Sequence, residues 1–595
     1  MRTNTRFALI VGALAICACS SSSDDDSIGV GSIGVNEWTM LAHDLSSTYH
    51  NPAETKLSSA NVKDLKLAWK LETRGPVNGA AAIRDGVVYI LSSGAAYAVN
   101  AADGSVIWEN TAVGGTASVT ISEDTLFVNT SRAAVVALDA ATGAERWRSV
   151  VDPHPAASGY SSPVVFERFV IVGSSSFEEA VVSEDASFRG AVVAFDRDTG
   201  AELWRHYTAD PPYNGVSVWS TISIDPELRS VYASTGNNYT EQAGPTSDAI
   251  FSLDVDTGAL KWVKQLTEGD IFTILNPQSP DTDFGTNPIL FDARIGGTNR
   301  QLLGAGQKSG VFWVLDRTNG EVIWSQAVSP GSALIGGMLN NGAYDGERLI
   351  VAGSNGSTDS PGSEPPKNGQ PNGPRARLAA LDPVDGHIIW DRQIRAWVWA
   401  PLTIANGVAF VGVDTDLDAV DATTGQRLFT FPTTGTITSA PAVADGRVYF
   451  GSGLSYFVGE NDNAFYVLSL EGGGGDGGGG GGGDAITFTA IYDDIFVTKG
   501  GCNTTSCHGG NQGNLNMSTR DDAYSNLVGV PASGVLCGSS GLVRVVPGDP
   551  GASLLLDKVS GDPPACGDPM PPANPLDAQD IERIRRWIAD GAKDD

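Results

Sequence analysis

The sequence predicts an all-β, eight-bladed propeller followed by a small, mostly α-helical domain. Three observations predict it: a short pattern that recurs along the middle of the chain, the eight aromatic residues that go with it, and a glycine run that sets the C-terminal tail apart. The clearest copies of the pattern are ALDAATGAERW (137–147), AFDRDTGAELW (194–204), SLDVDTGALKW (252–262) and VLDRTNGEVIW (314–324). Weaker copies are AVNAADGSVIW (98–108), ALDPVDGHIIW (380–390) and AVDATTGQRLF (419–429).

Each copy reads as a hairpin. A strand ends at the Asp, whose side chain caps the turn. The Gly takes a backbone conformation with positive φ, and the return strand places the aromatic on a packed face. Ahead of each copy lies another alternating pair, such as DGVVYILSS (85–93) and DTLFVNTS (124–131). Four strands per repeat at a period of about 40 residues is a propeller blade. The aromatics Trp69, Trp108, Trp147, Trp204, Trp262, Trp324, Trp390 and Phe429 count eight blades. Trp69 has no repeat before it, and AFYVLSL (464–470) has no Trp strand after it, so the two ends are expected to share one blade and close the ring. The aromatics are spaced by 39, 39, 57, 58, 62, 66 and 39 residues, so the middle blades carry inserted loops, where chemistry is expected. The insert 359–375 is rich in Pro, Gly and polar residues and reads as surface.

The chain opens with Arg2, Arg6 and an apolar run (7–16) too short to span a bilayer. Cys17, Ala18 and Cys19 follow, then serines at 20–23 and aspartates at 24–26. This resembles a bacterial lipoprotein signal and implies removal of 1–18, lipidation of Cys19, a tether over 19–35, and a lipid-anchored protein facing the periplasm. A cleaved but unlipidated signal is the alternative. The propeller is expected over 36–471, a coil-like glycine linker over 472–484 with a reach of roughly 20 Å, and the tail domain over 485–595. With 38 basic and 69 acidic side chains the chain carries a net charge of −31, which argues against nucleic acid as a partner.

Apart from Cys17 and Cys19, the cysteines are Cys502, Cys507, Cys537 and Cys566, all in the tail. Outside the cytoplasm such thiols end up oxidised, ligated or attached. In GGCNTTSCHGG (500–510) four residues separate Cys502 from Cys507, and His508 follows. From the residues alone this is a haem attachment site, a Cys502–Cys507 disulfide or a metal clip. Zinc fits worst, because His508 is the only His of the tail and no finger spacing is present. Residues 577–592 read as a helix capped by Asp577, with Ile581, Ile584 and Ile588 on one stripe and Trp587 extending it.

The repeats resemble the Trp-docking repeats of quinoprotein dehydrogenases that use pyrroloquinoline quinone (PQQ), over residues 36 to about 470. VIVGSSSFEE (170–179) is similar to the family strand that ends in a metal-binding Glu, falling on Glu178. VWSTISIDPELRSVYASTGNNY (218–239) resembles the segment that supplies a stacking Trp and a metal-binding Asn, Trp219 and Asn237. SPDTDFGTNPIL (279–290) resembles the loop with the catalytic Asp, Asp281, and GAGQKSGVFWVLDRTNG (304–320) the segment whose cation contacts the quinone oxygen, Lys308. GNNY, DTDFG and GSSSFEE are most similar to the polyvinyl-alcohol-dehydrogenase branch. The resemblance implies oxidation of an alcohol, secondary or polymeric, with Asp281 as base.

The residue chemistry agrees. A flat tricarboxylate quinone needs an aromatic floor, a cation and a hard metal, and Glu178, Asn237 and Asp281 offer the oxygen ligands that Ca²⁺ prefers. Asp283 adds a further oxygen, which in the family goes with a lanthanide in place of calcium, so both metals stay open. Ser175 is the hydroxyl candidate for a cofactor carboxylate. Two departures stand out: the propeller lacks the adjacent cysteines of many members, and Asn340 stands about where relatives place a Trp.

The tail segments VVPGDPGASLLLDKV (545–559), CGDPMPP (566–572) and 577–592 resemble a c-type cytochrome domain. That resemblance implies haem c on Cys502 and Cys507, His508 and Met570 as iron ligands, and Cys537 with Cys566 as a disulfide. A soluble cytochrome is the implied downstream acceptor. The rival expectation is a non-catalytic propeller lipoprotein that scaffolds the envelope, with an electron-carrier or disulfide tail. In such a scaffold Glu178, Asn237 and Asp281 need not converge.

Overall fold

Each repeat folds as an antiparallel sheet of four strands, joined in two of the eight sheets by a short fifth strand (His50–Asn51 and Ala157–Ser158), and the sheets surround one axis. The structure is a computed structural model. It describes residues 1, 37–181, 186–240, 242–277, 279–331, 336–355, 375–394, 396–453, 463–471, 487–499, 502–504, 508, 514–560, 564–567, 570–571, 576, 578–589 and 591–595. The signal, Cys19, the insert 359–374, the linker 472–484, Cys507 and Asp577 lie outside the described residues.

The blades span 82–110, 120–150, 157–207, 223–265, 289–327, 343–394, 403–432 and, for the eighth, 442–469 completed by 66–72. The eighth closes the ring: Lys66–Glu72, from the N-terminal side, pairs antiparallel with Ala464–Ser469. Innermost strands (A) of neighbouring blades touch around most of the ring, and outermost strands (D) such as Glu145–Val150, Leu260–Gln265 and Ile388–Ile394 are the wettest.

The repeat's Gly and aromatic have a joint role that the hairpin reading misses. The indole N–H of Trp108 donates to Ala140 O (2.9 Å), in the next blade's C–D turn. Its ring lies flat on Gly143, where a Cβ would stand 2.6 Å from the indole. The same docking joins Trp69 to Gly104, Trp147 to Gly200, Trp204 to Gly258, Trp262 to Gly320, Trp324 to Gly386 and Trp390 to Gly425. Asp139 caps its turn by accepting from Thr142 N at 2.9 Å. Gly143 sits at φ +70°, so Gly143→Val meets both backbone strain and the indole. It is expected to destabilise the propeller by about 1–3 kcal/mol, read from the midpoint of urea unfolding at unchanged slope.

Residues 38–51 form an element the repeat pattern does not announce. Their backbone carbonyls accept from the innermost strands in succession: Trp38 O from Ile83 N, Thr39 O from Ile121 N, Leu45 O from Ile224 N, Ser46 O from Leu290 N, Thr48 O from Tyr344 N and Tyr49 O from Ile404 N, at 2.7–2.9 Å. The segment thus winds around the ring, satisfying strand edges that would otherwise face the axis unpaired.

The tail has its own core, in which Phe488, Phe496, Leu527, Ile584, Trp587 and Ile588 pack together. Its helices are Phe488–Ala490 continuing through Ile491–Lys499, Arg520–Leu527, Leu554–Val559 and Ala578–Ala589. Among the described residues the tail holds less helix than its sequence suggests. Ile584, Trp587 and Ile588 are buried and Ile581 is partly buried, which makes the last helix amphipathic. Cys537 and Cys566 form a disulfide across a Cα–Cα distance of 5.3 Å.

Candidate active site

The C–D turns with their docked glycines lie on one face of the ring, while the B–C and D–A connections emerge on the other. Apart from Ser175, which lies within the B strand of blade 3, every propeller residue singled out for chemistry belongs to this second set. Trp219 precedes the A strand of blade 4, and Asn237 follows its B strand. Asp281 and Asp283 precede the A strand of blade 5, and Lys308 follows its B strand. Glu178 and Glu179 follow the B strand of blade 3, in the short helix Glu178–Val181.

Lys308 is the hub. Its Nζ lies 2.9 Å from Asp281 Oδ1 and 3.2 Å from Asp283 Oδ2, with all three residues buried. The ammonium sits 5.6 Å from the centre of the Trp219 ring. Burial disfavours that charge, but Asp281, Asp283 and Glu179 outweigh it and hold Lys308 well above the usual lysine range. Asp283 is pushed up to about 7 by burial, against the pull of Lys308. Its Oδ1 accepts from Asn237 N at 2.8 Å. Gly236 permits this approach, since a Cβ there would stand 3.2 Å from the same oxygen. The Asn237 amide nitrogen donates to Phe272 O and Asn238 O, which fixes the side chain and leaves Oδ1 as its acceptor. Trp219 is half-buried, and Gly285 packs under its rim, where a Cβ would meet the ring at 2.6 Å.

Glu178, the carboxylate expected to bind a metal, is engaged by backbone donors of its own loop. Glu178 accepts from Ser187 N (3.1 Å) and Phe188 N (2.8 Å) and faces His154 Nε2 at 3.6 Å, so its charge is spent on ordering that loop. Glu179 is the residue that joins the cluster. Burial and the charge of Asp283 raise it, Lys308 opposes, and Asp281 and Asp270 raise it further. Its carbonyl also meets Ile274 N at 3.4 Å, on the loop that carries Asp270 and Asp281. Ser175 donates to Ser158 O at 2.8 Å and is committed within its own blade. Asn340 is buried, with its Nδ2 donating to Val398 O. Two further carboxylates, Asp248 and Asp270, were not singled out in the sequence. They stand beside Asp283, and all three are buried.

The oxygen-only donor set of Glu179, Asn237, Asp281 and Asp283 suits a hard cation. A half-buried indole beside a fixed ammonium suits a flat, anionic, carbonyl-bearing cofactor. In the tail, an apolar cavity of about 360 Å³ is lined by Cys502, His508 and Met570, with Phe496, Leu527 and Met517 around them. A thiol, an imidazole and two thioethers around an apolar cavity suit a haem.

The chain matches the family model described as "Glucose/ethanol/alcohol dehydrogenase, beta-propeller domain" over 38–159 and 150–331, which holds the whole cluster. Residues 307–473 match "Outer membrane protein assembly factor BamB". It is 33% identical over 450 residues to a polyvinylalcohol dehydrogenase of Pseudomonas sp, covering 67% of this chain and 68% of the relative. It is 30% identical over 511 residues to the enzyme of the same name from Sphingopyxis sp. (strain 113P3), covering 73% and 74%. In fold it is similar to the quinohemoprotein alcohol dehydrogenase of Comamonas testosteroni, with a TM-score of 0.62 at 20% identity over 93% of this chain and 95% of that one.

Proposed function

This chain belongs to the PQQ-dependent alcohol dehydrogenase family, and on that premise we propose that it is a quinohaemoprotein that oxidises an alcohol, secondary or polymeric, and passes the electrons to a haem c in its own tail. The observation that carries the reading is the convergence of Lys308, Asp281, Asp283 and Glu179 beside Trp219, from loops of three blades. A scaffold propeller has no use for such a buried cluster of charge, which costs stability unless it is paired.

Trp219 and Lys308 would hold PQQ, Glu179, Asn237, Asp281 and Asp283 its metal (calcium or a lanthanide), and Cys502, Cys507, His508 and Met570 the haem. Bound there, PQQ with its cation supplies a two-electron acceptor with a polarised carbonyl, and haem a one-electron relay. The protein's own share is to position and to move a proton. Asp281 accepts the hydroxyl proton of the alcohol on a carboxylate oxygen. Lys308, 2.9 Å away, holds that carboxylate in position. Asp283 shares the lysine and so limits how far it can be drawn toward Asp281. The polymeric or secondary alcohol is favoured by the two polyvinylalcohol dehydrogenases among the relatives. The Cys17-Ala18-Cys19 signal favours a lipid-anchored protein facing the periplasm, with a soluble cytochrome as final acceptor.

The test is a visible spectrum of protein made in a host that attaches haem c. It is repeated after adding PQQ, Ca²⁺ and a secondary alcohol. A c-type spectrum that becomes reduced is expected. Haem bands that stay oxidised with every alcohol and metal tried would refute the electron path, and absence of haem bands would refute the tail reading. Met570→Ala is expected to leave haem attached but lower its reduction potential, measured by spectroelectrochemical titration, because the thioether favours the reduced iron.

A further inference from the structure

The B–C and D–A loops around Lys308 hold more negative charge than one metal ion matches. Glu179, Asp248, Asp270, Asp281 and Asp283 interact with one another there, and Lys308 is the cation among the described residues that faces them. A divalent ion held by Glu179, Asn237 and Asp281 leaves an excess of carboxylate, before an anionic cofactor adds its own charges.

We propose that Asp248, Asp270 and Asp283 bind a second hard cation, of the calcium or lanthanide class, beside the cofactor's metal. Carboxylate oxygens from the three lie within 4.8 Å of one another. Oxygens that share one calcium ion, each at about 2.3–2.6 Å, are at most roughly 5 Å apart, so the spacing fits one ion. All three residues are buried, at 0%, 0% and 2% exposure. Asp270 accepts from Phe272 N (2.9 Å), Thr282 N (2.5 Å) and Thr282 Oγ1 (2.8 Å), which hold it in place. Asp283 is held by Asn237 N and Lys308. Asp248 is different. Its Oδ1 meets Thr282 Oγ1 at 3.2 Å, but its Oδ2 is buried with no hydrogen-bond partner. A buried carboxylate oxygen without a donor is costly, and a cation is the ligand that offsets it. Oxygen donors alone select a hard ion over zinc or copper. The proposal rests on the reading of the first metal site in one respect: Asp283 lies between the two and its carboxylate would be shared.

The test is calcium titration of the full-length, haem-bearing protein after chelator treatment, with bound calcium counted by elemental analysis and by calorimetry. Asp248→Asn is expected to bind one calcium ion fewer per chain than the wild type. Glu179→Gln is also expected to lose one ion, from the other site. Asp248→Asn binding as many ions as the wild type would overturn the second site, and if Glu179→Gln still loses one, the first site stands. Loss in Asp248→Asn alone would keep the second site and sink the first. Thermal unfolding separates a site from a merely structural carboxylate. Asp248→Asn removes charge repulsion, so in chelator it should melt no lower than the wild type, and calcium should raise its melting point less. Equal destabilisation with and without calcium would overturn the proposal.

Discussion

Asp281→Asn lowers kcat by about 10²- to 10⁴-fold, the usual share of a positioned general base, and leaves the propeller folded. The side chain is fully buried and lies 2.9 Å from Lys308 Nζ. An amide in its place keeps a carbonyl oxygen for the lysine but cannot take the hydroxyl proton. Lys308 also retains Asp283 at 3.2 Å, so the hub does not lose both partners. The loss should therefore fall on kcat and on kcat/KM alike, the pattern of an interaction made in the transition state. Dye-linked oxidation of a secondary alcohol, with PQQ and calcium saturating, measures it. Activity within tenfold of wild type would move the base elsewhere. An unchanged urea midpoint guards against loss through misfolding.

How much of this was legible in the sequence differs by residue. The propeller was, because the docking of each Trp on the next blade's Gly is the same local event repeated, and it leaves the same letters each time. Ring closure was legible because Trp69 lacks a repeat before it. The inner winding of 38–51 was not: it is held through backbone carbonyls, which any residue supplies. Glu178 and Glu179 are adjacent in FEE, and which of them enters the site depends on a short helical turn and on backbone donors at Ser187 and Phe188. No local pattern encodes that choice. Asp248 and Asp270 lie on stretches with no motif and meet Asp283 only through blade geometry. A signal was present in hindsight, since Asp248 interrupts the small and apolar run into its strand. In the tail the last helix was legible from its apolar stripe, whereas the mostly helical character expected of the whole tail is not seen among the described residues.

Lys308→Met gives the largest expected loss of stability. Methionine fills a similar volume and keeps packing near Trp219, so little of the effect is a cavity. What disappears is the ammonium between Asp281 and Asp283, at 2.9 and 3.2 Å, with Glu179 also within its field. Removing one partner of a buried ion pair typically costs about 3–5 kcal/mol, because the other charge stays buried and unpaired. Urea unfolding in chelator should show that loss. In calcium the loss should shrink, since the metal then takes up the carboxylates that the lysine has abandoned. Lys308→Arg keeps the charge but presents a planar fork in place of a compact ammonium, and should lose less stability than activity. If Lys308→Met unfolds within 1 kcal/mol of wild type in chelator, the carboxylates are not relying on the lysine. The stability of one variant without any cofactor thus tests whether the lysine is the partner that holds the carboxylates together.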